Sequence, residues 1–190
     1  LITTWSGRQV DPLNLKPEDI YAPDICWALS NICRFGGHSR QFYSVAQHTL
    51  RVADKVPADP PAPLFHALVH DAAEAYLGDV TTPVKHRIPE YQRAEEIAEG
   101  AVCQAFGVDR ISFFDDLGPE GVVKKADLEC LREEQESLFI HSTTLPGRLW
   151  MSPKSAANEL LLELWTWCPL RTTQNGLLIP RPNEFFGVAE

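Results

Sequence analysis

The chain has 190 residues, a formal charge of −9, 44% hydrophobic residues and 23% charged residues. That length and balance suit one domain with a substantial core and exclude disordered, fibrous and collagen-like classes. The acidic charge argues against affinity built by neutralising many backbone phosphates, so no duplex nucleic acid is expected as a partner, while a local basic pocket for one phosphorylated ligand stays compatible with it.

No apolar run approaches ~20 residues, so no membrane-spanning helix is expected. The first residues, LITTWSGRQV, lack the basic start and apolar stretch of a secretory signal. Five cysteines, Cys26, Cys33, Cys103, Cys130 and Cys168, form no C-x-x-C pair and are odd in number. They read as small buried hydrophobes in a reducing cytoplasm rather than as a disulfide framework.

In chain order, residues 1–23 mix Thr, Gly, Pro and Asp without periodicity and read as an ordered N-terminal arm. Asp24 is expected to cap a short helix carrying Ile25, Leu29 and Ile32, followed by the loop CRFGGHSRQF. From Ser44 to Val56, the segment SVAQHTLRVADKV puts His48 at helical spacing with Val45, Val52 and Val56, which turns the imidazole inward. Prolines at 57, 60, 61 and 63 break the chain before a helix predicted over about 62–77 and stopped by Gly78. On that helix His66, His70 and Glu74 fall at i, i+4 and i+8, roughly one face, with Asp71 beside them.

A further helix is predicted over 90–106, ending near Gly107, and another over about 120–140, where Val123, Asp127, Cys130 or Leu131, and Glu134 share a face. The last clear helix starts at Ser152-Pro153 and ends before Pro169. Strand alternation and internal repeats are both lacking, so the fold class is all-α, with a single helical core over 24–168 and a tail over 169–190 packed on it.

Two imidazoles and two carboxylates thus occupy positions where a core would favour leucine, and a shared divalent cation is the compensation that suits all four. The order His48, His70-Asp71, Asp127 and the surrounding segments SVAQHTLRVA, HDAAEAYLGDVTTPVK and KKADLECLREE resemble the HD-domain phosphohydrolase superfamily. The resemblance spans about residues 24–135 and is nearest to bacterial 5′-deoxynucleotidases and phage HD-domain dATP triphosphohydrolases. It implies an all-α HD-domain fold with a central metal held by His48, His70, Asp71 and Asp127, of a kind (Mn, Co, Zn, Fe or Mg) the donor set leaves open. A second metal could accompany a triphosphate substrate, and relatives form homo-oligomers.

The resemblance further implies that Asp71 orients the attacking water and that Glu74 and Asp79 manage its proton and the leaving group, since a carboxylate beside an acidified water can take its proton as attack proceeds. Lys85 and Arg34 correspond to phosphate and nucleotide contacts. Phe35 stands where the deoxynucleotidases typically carry tryptophan, and Gly37 and His38 complete that loop. His86, Arg87 and Arg40 could extend a basic rim or be solvated surface charges.

His66 departs from the zinc-protease pattern H-E-x-x-H, because Ala67 follows it; it is assigned to support the metal ligands or to contact phosphate. His141 is expected at the surface. The expected activity is hydrolysis of deoxynucleoside phosphates, leaning to a dATP-type triphosphate because the Arg-aromatic-Gly loop and TPVK suit a long phosphate chain. A 5′-deoxynucleotidase acting on monophosphates, a non-hydrolysing nucleotide sensor, and an enzyme for a signalling nucleotide such as guanosine tetraphosphate are the alternatives.

Overall fold

The computed structural model describes residues 1–140, 151–170 and 179–180. Its elements are almost all helical, as the apolar spacing predicts. The N-terminal arm is the exception: β1 (Ile2–Thr3) and β2 (Gln9–Val10) pair antiparallel around a turn at Gly7. Two-residue strands are too short to show alternation, which is why the sequence did not announce them.

Helix α1 (Ala22–Asn31) begins two residues before Asp24, with Pro23 in its first turn. Asp24 is therefore not the cap expected of it. Its carboxylate is buried and accepts hydrogen bonds from the Ser6 amide and hydroxyl at 2.7 Å each, tying the hairpin to the helix. Helix α2 (Val45–Lys55) opens with a capping box: Ser44 accepts from the Gln47 amide, and the Gln47 side chain accepts from the Ser44 amide.

The helix predicted over 62–77 is interrupted. Helix α3 (Pro61–Val69) ends before His70, residues 70–73 form tight turns, and the short α4 (Glu74–Leu77) follows, with Gly78 at φ +81° ending it. The hydrogen bonds Ala72 to Val69, Glu74 to Asp71 and Tyr76 to Ala73 each span three residues, so the chain winds more tightly than an α-helix there. The regular α-helical spacing that runs from His66 to His70 therefore does not continue to Glu74.

Helix α5 (Thr82–Lys85) and helix α7 (Arg110–Leu117) were not foreseen, whereas α6 (Pro89–Phe106) closes at Gly107 as predicted. Asp109 caps α7 by accepting from the Ser112 amide. Helix α8 (Val122–Gln135) is shorter than predicted and loosens into a π turn over Glu136–Ile140. Helix α9 (Pro153–Trp167) starts from the Ser152 cap as expected.

α1 packs along α9, and α2 lies between α1, α3 and α8, so Leu29, Leu50, Val52, Phe65, Leu160 and Leu164 meet in one core. Full burial of such side chains contributes about 1.5–3 kcal/mol each before entropy is counted. A smaller cluster of Tyr43, Leu138, Phe35 and Phe139 sits where the loop after α1 meets the π turn. The tail expected over 169–190 lies outside the described residues except at 169–170 and 179–180, as does His141. Among the described residues no helix is long and apolar enough to cross a membrane.

Candidate metal centre

The capping box fixes the start of α2, and its apolar face carries His48 into the interior, where the ring is wholly buried. His48 Nδ1 lies 2.8 Å from the Glu134 carboxylate, and Nε2 faces Asp127 Oδ1 at 3.2 Å and Asp71 Oδ2 at 3.8 Å. His70, at the end of α3, directs Nδ1 to the Ala67 carbonyl at 2.7 Å and Nε2 towards Asp71 Oδ2 at 3.2 Å. The two rings stand 5.4 Å apart. In each imidazole an acceptor takes the Nδ1 proton and leaves Nε2 as the atom that can ligate.

The ligand atoms of His48, His70 and Asp71 all lie within 4.8 Å of one another. Asp127 borders this triad through His48, while its second oxygen accepts from Lys124 Nζ at 2.7 Å. His48 Nε2, His70 Nε2 and Asp71 Oδ2 are all buried without a hydrogen-bond partner. Leaving a buried polar atom unsatisfied costs about 1–3 kcal/mol, so three converging on one point mark a place completed by something brought in. Two imidazole nitrogens and carboxylate oxygens fit a divalent transition metal, and His48, His70 and Asp71, with Asp127 at the edge, could hold it.

The acids around this point are driven in opposite directions. Burial would raise Asp71, but His70, His48 and Arg34 hold it well below the usual carboxylate range; Asp127, likewise buried, is pulled down by His48, His70 and Lys124. Glu74 is pushed well above its ordinary value, by burial first and then by the charges of Asp71 and Asp79. Asp79 is raised as well, chiefly by burial. Carboxylates held low as ligands beside carboxyls raised towards neutral form a division suited to hydrolysis.

A cavity of about 150 Å³ reaches His70 and Asp71 of the triad; Asp127 of α8 and Glu74 line it with them, and Lys85, Glu95 and Glu99 of α5 and α6 form its other wall. Lys85 donates to Glu95 and stands 5.7 Å from the centre of the Tyr91 ring, whose hydroxyl donates to the Gly78 carbonyl. Arg34 adjoins the triad: NH1 is 3.7 Å from Asp71 Oδ2, and Nε is 3.3 Å from Glu134 Oε2.

Other expected residues are placed elsewhere. Phe35 is half-buried at φ +57°, edge-on to Phe139 at 5.1 Å, and Gly37 and His38 are exposed; none of these three lines the cavity. His66 is engaged by α7: its Nδ1 is 2.6 Å from Asp116 and its ring meets Phe113 at 5.5 Å, and it is not among the residues lining the cavity. Sequence reasoning gave no role to Glu134, Glu95, Glu99 or Lys124. Glu134 had a readable signal, standing two turns beyond Asp127 on the same face.

Residues 28–108 match the family model described as 5′-deoxynucleotidase YfbR-like. An Escherichia coli protein described as uncharacterised, YfdR, is 38% identical over 149 residues, covering 78% of this chain and 76% of that protein. A Rhodobacter capsulatus protein, also described as uncharacterised, is 32% identical over 155 residues, covering 78% of each.

Proposed function

Because the chain belongs to the YfbR-like family of metal-dependent HD-domain nucleotide phosphohydrolases, we propose that it hydrolyses the 5′-phosphoester of a deoxynucleoside phosphate at the cavity beside His48, His70, Asp71 and Asp127. The observation that carries this reading is the convergence of three buried, unpartnered ligand atoms on one point of a cleft that also holds an acid with a raised pKa.

A divalent cation, when bound, would supply Lewis acidity to a phosphate oxygen and lower the pKa of the attacking water. The chain does the rest. Asp71 orients the water, whose oxygen bonds to phosphorus as the bond from phosphorus to O5′ breaks. Glu74 takes the water's proton, and Asp79 gives one to the departing O5′, roles to which their raised pKa values suit them. Lys85 and Arg34 offset charge on the phosphate, Lys85 after exchanging Glu95 for it.

Among deoxynucleotides we place the monophosphate first. Asp71, Glu74, Glu95, Glu99 and Asp127 line the cavity against Lys85 and Lys124, an environment that suits a short anionic group better than a triphosphate. The triphosphate reading, with dATP as its type, keeps the support of Arg34 beside Asp71, but Arg34, Phe35 and Gly37 all lie outside the cavity lining. Product release from deoxynucleoside mono-, di- and triphosphates, and from their ribose counterparts, with Mn²⁺, Co²⁺, Mg²⁺ and Zn²⁺ in turn, tests the proposal. Inorganic phosphate from a monophosphate is expected, tripolyphosphate would favour the second reading, and no release from any substrate would refute both.

A further inference from the structure

Glu134 is a fully buried carboxylate on which four groups converge. Oε1 receives Tyr43 Oη and His48 Nδ1, each at 2.8 Å, and Arg51 NH1 stands 3.8 Å from it. Oε2 faces Arg34 Nε at 3.3 Å without a formed hydrogen bond. Arg51 is itself held by Glu133 at 2.6 Å, so its charge is shared. Burying a carboxylate is costly, and a structural tie between α8 and α2 could be made by neutral groups.

We propose that Glu134 is a positioning residue that holds His48 as an Nε2 ligand and keeps Arg34 from occupying Asp71, an inference that rests on the metal site proposed above. An ionised carboxylate only accepts, so His48 Nδ1 carries the proton and the Nε2 lone pair points at Asp71 and Asp127. His70 reaches the same tautomer through a neutral carbonyl, whereas the charge of Glu134 also makes His48 a stronger donor. The second effect concerns Arg34, whose guanidinium lies between Glu134 and Asp71. Remove the charge of Glu134, and Asp71 becomes the partner left to Arg34, which then competes with a cation for a ligand oxygen.

The two effects give a pattern that a purely structural carboxylate would not. Titrating Co²⁺ into the full chain, Glu134→Gln should weaken affinity by about 10–100-fold, the usual cost of losing a carboxylate behind a metal-bound histidine. Adding Arg34→Ala to Glu134→Gln should recover part of that loss, because the competitor for Asp71 is gone. Unchanged affinity in Glu134→Gln, or a double variant no better than the single, overturns the proposal. If Glu134→Gln does not fold, long-range ¹H–¹⁵N spectra of the zinc-loaded wild type decide: a proton on His48 Nδ1 is expected, and one on Nε2 overturns the idea. A wild-type chain that binds no divalent cation refutes the metal site itself, which is a different result from a wild type that binds and a variant that binds equally well.

Discussion

The two walls of the cavity are built on opposite principles. On the wall formed by the turn after α3 and by α8, with His48 of α2 behind it, both imidazoles have their Nδ1 atoms committed to fixed acceptors, while their Nε2 atoms and Asp71 Oδ2 face one another unsatisfied. On the wall formed by α5 and α6, Lys85 already has Glu95, and Glu99 keeps its proton up to about pH 7, through burial first and the charge of Glu95 second. The first wall cannot complete itself and is organised to receive; the second is complete at rest and must surrender a contact to take a ligand. Affinity for a cation should therefore come from the first wall, and discrimination among phosphates from the second.

The largest effect should come from breaking the first wall. On the proposed ligand set, Asp127→Ala or His70→Ala takes away a ligand rather than a support, so cation affinity should fall by more than the ~100-fold upper range expected for an outer carboxylate, with hydrolysis lost alongside. Metal content after dialysis, measured on the folded variants, checks this; either variant retaining stoichiometric metal would remove that residue from the ligand set.

Next in size is Glu74→Gln, which tests whether the raised acid between the walls moves a proton. Its turnover should drop by about 10²–10⁴-fold, the range of a general base, while cation affinity stays near wild type. A normal kcat with intact metal would leave Glu74 as a buried acid without a part in the chemistry.

The same contrast explains what the sequence disclosed. His48, Asp127 and the His70-Asp71 pair were legible because each is a polar group on an apolar, helically spaced stripe, where its cost demands a reason. Glu95 and Glu99 stand four residues apart on α6 and look like any solvated helix charges until Lys85 is brought against them by α5, an element of four residues whose Thr-Pro start reads equally well as a loop. His66 stands at i, i+4 to His70 in the sequence, but the partner its Nδ1 meets, Asp116, comes from α7, an element the apolar spacing does not predict. Local chemistry alone makes Asp24 look like a cap, whereas its partner, Ser6, lies eighteen positions away. Local periodicity thus reports the longer helices and the polar intrusions but not α5, α7 or the break after α3, and long-range pairing decides which intrusions meet.

Smaller effects should distinguish residues within the second wall. Lys85→Ala removes a charged contact worth about 1.5–3 kcal/mol in principle, but the Glu95 pair it breaks at rest offsets part of that, so KM should rise by only about tenfold. Glu95→Gln should move KM the other way, a few-fold down, because Lys85 is released to the phosphate. Steady-state kinetics on both variants read the sign directly, and a rise in KM for Glu95→Gln would mean that the pair positions Lys85 rather than restraining it.

The smallest effect is one of stability rather than turnover. In the unfolded chain Glu99 ionises near its ordinary value of 4.5, but in the folded protein it holds its proton to about 7. Between those values the folded state binds more protons than the unfolded one, so this group makes stability fall as pH rises through that window and adds no further slope above it. The full contribution is at most about 3 kcal/mol, less for a side chain that keeps some contact with solvent. Glu99→Gln, which stays neutral at every pH, should flatten the decline in urea midpoint between pH 5 and pH 7 and leave the variant more stable than wild type at pH 8. Parallel pH profiles for the two proteins would show that Glu99 ionises freely, and the second wall would then carry one more negative charge against the substrate than its resting state suggests.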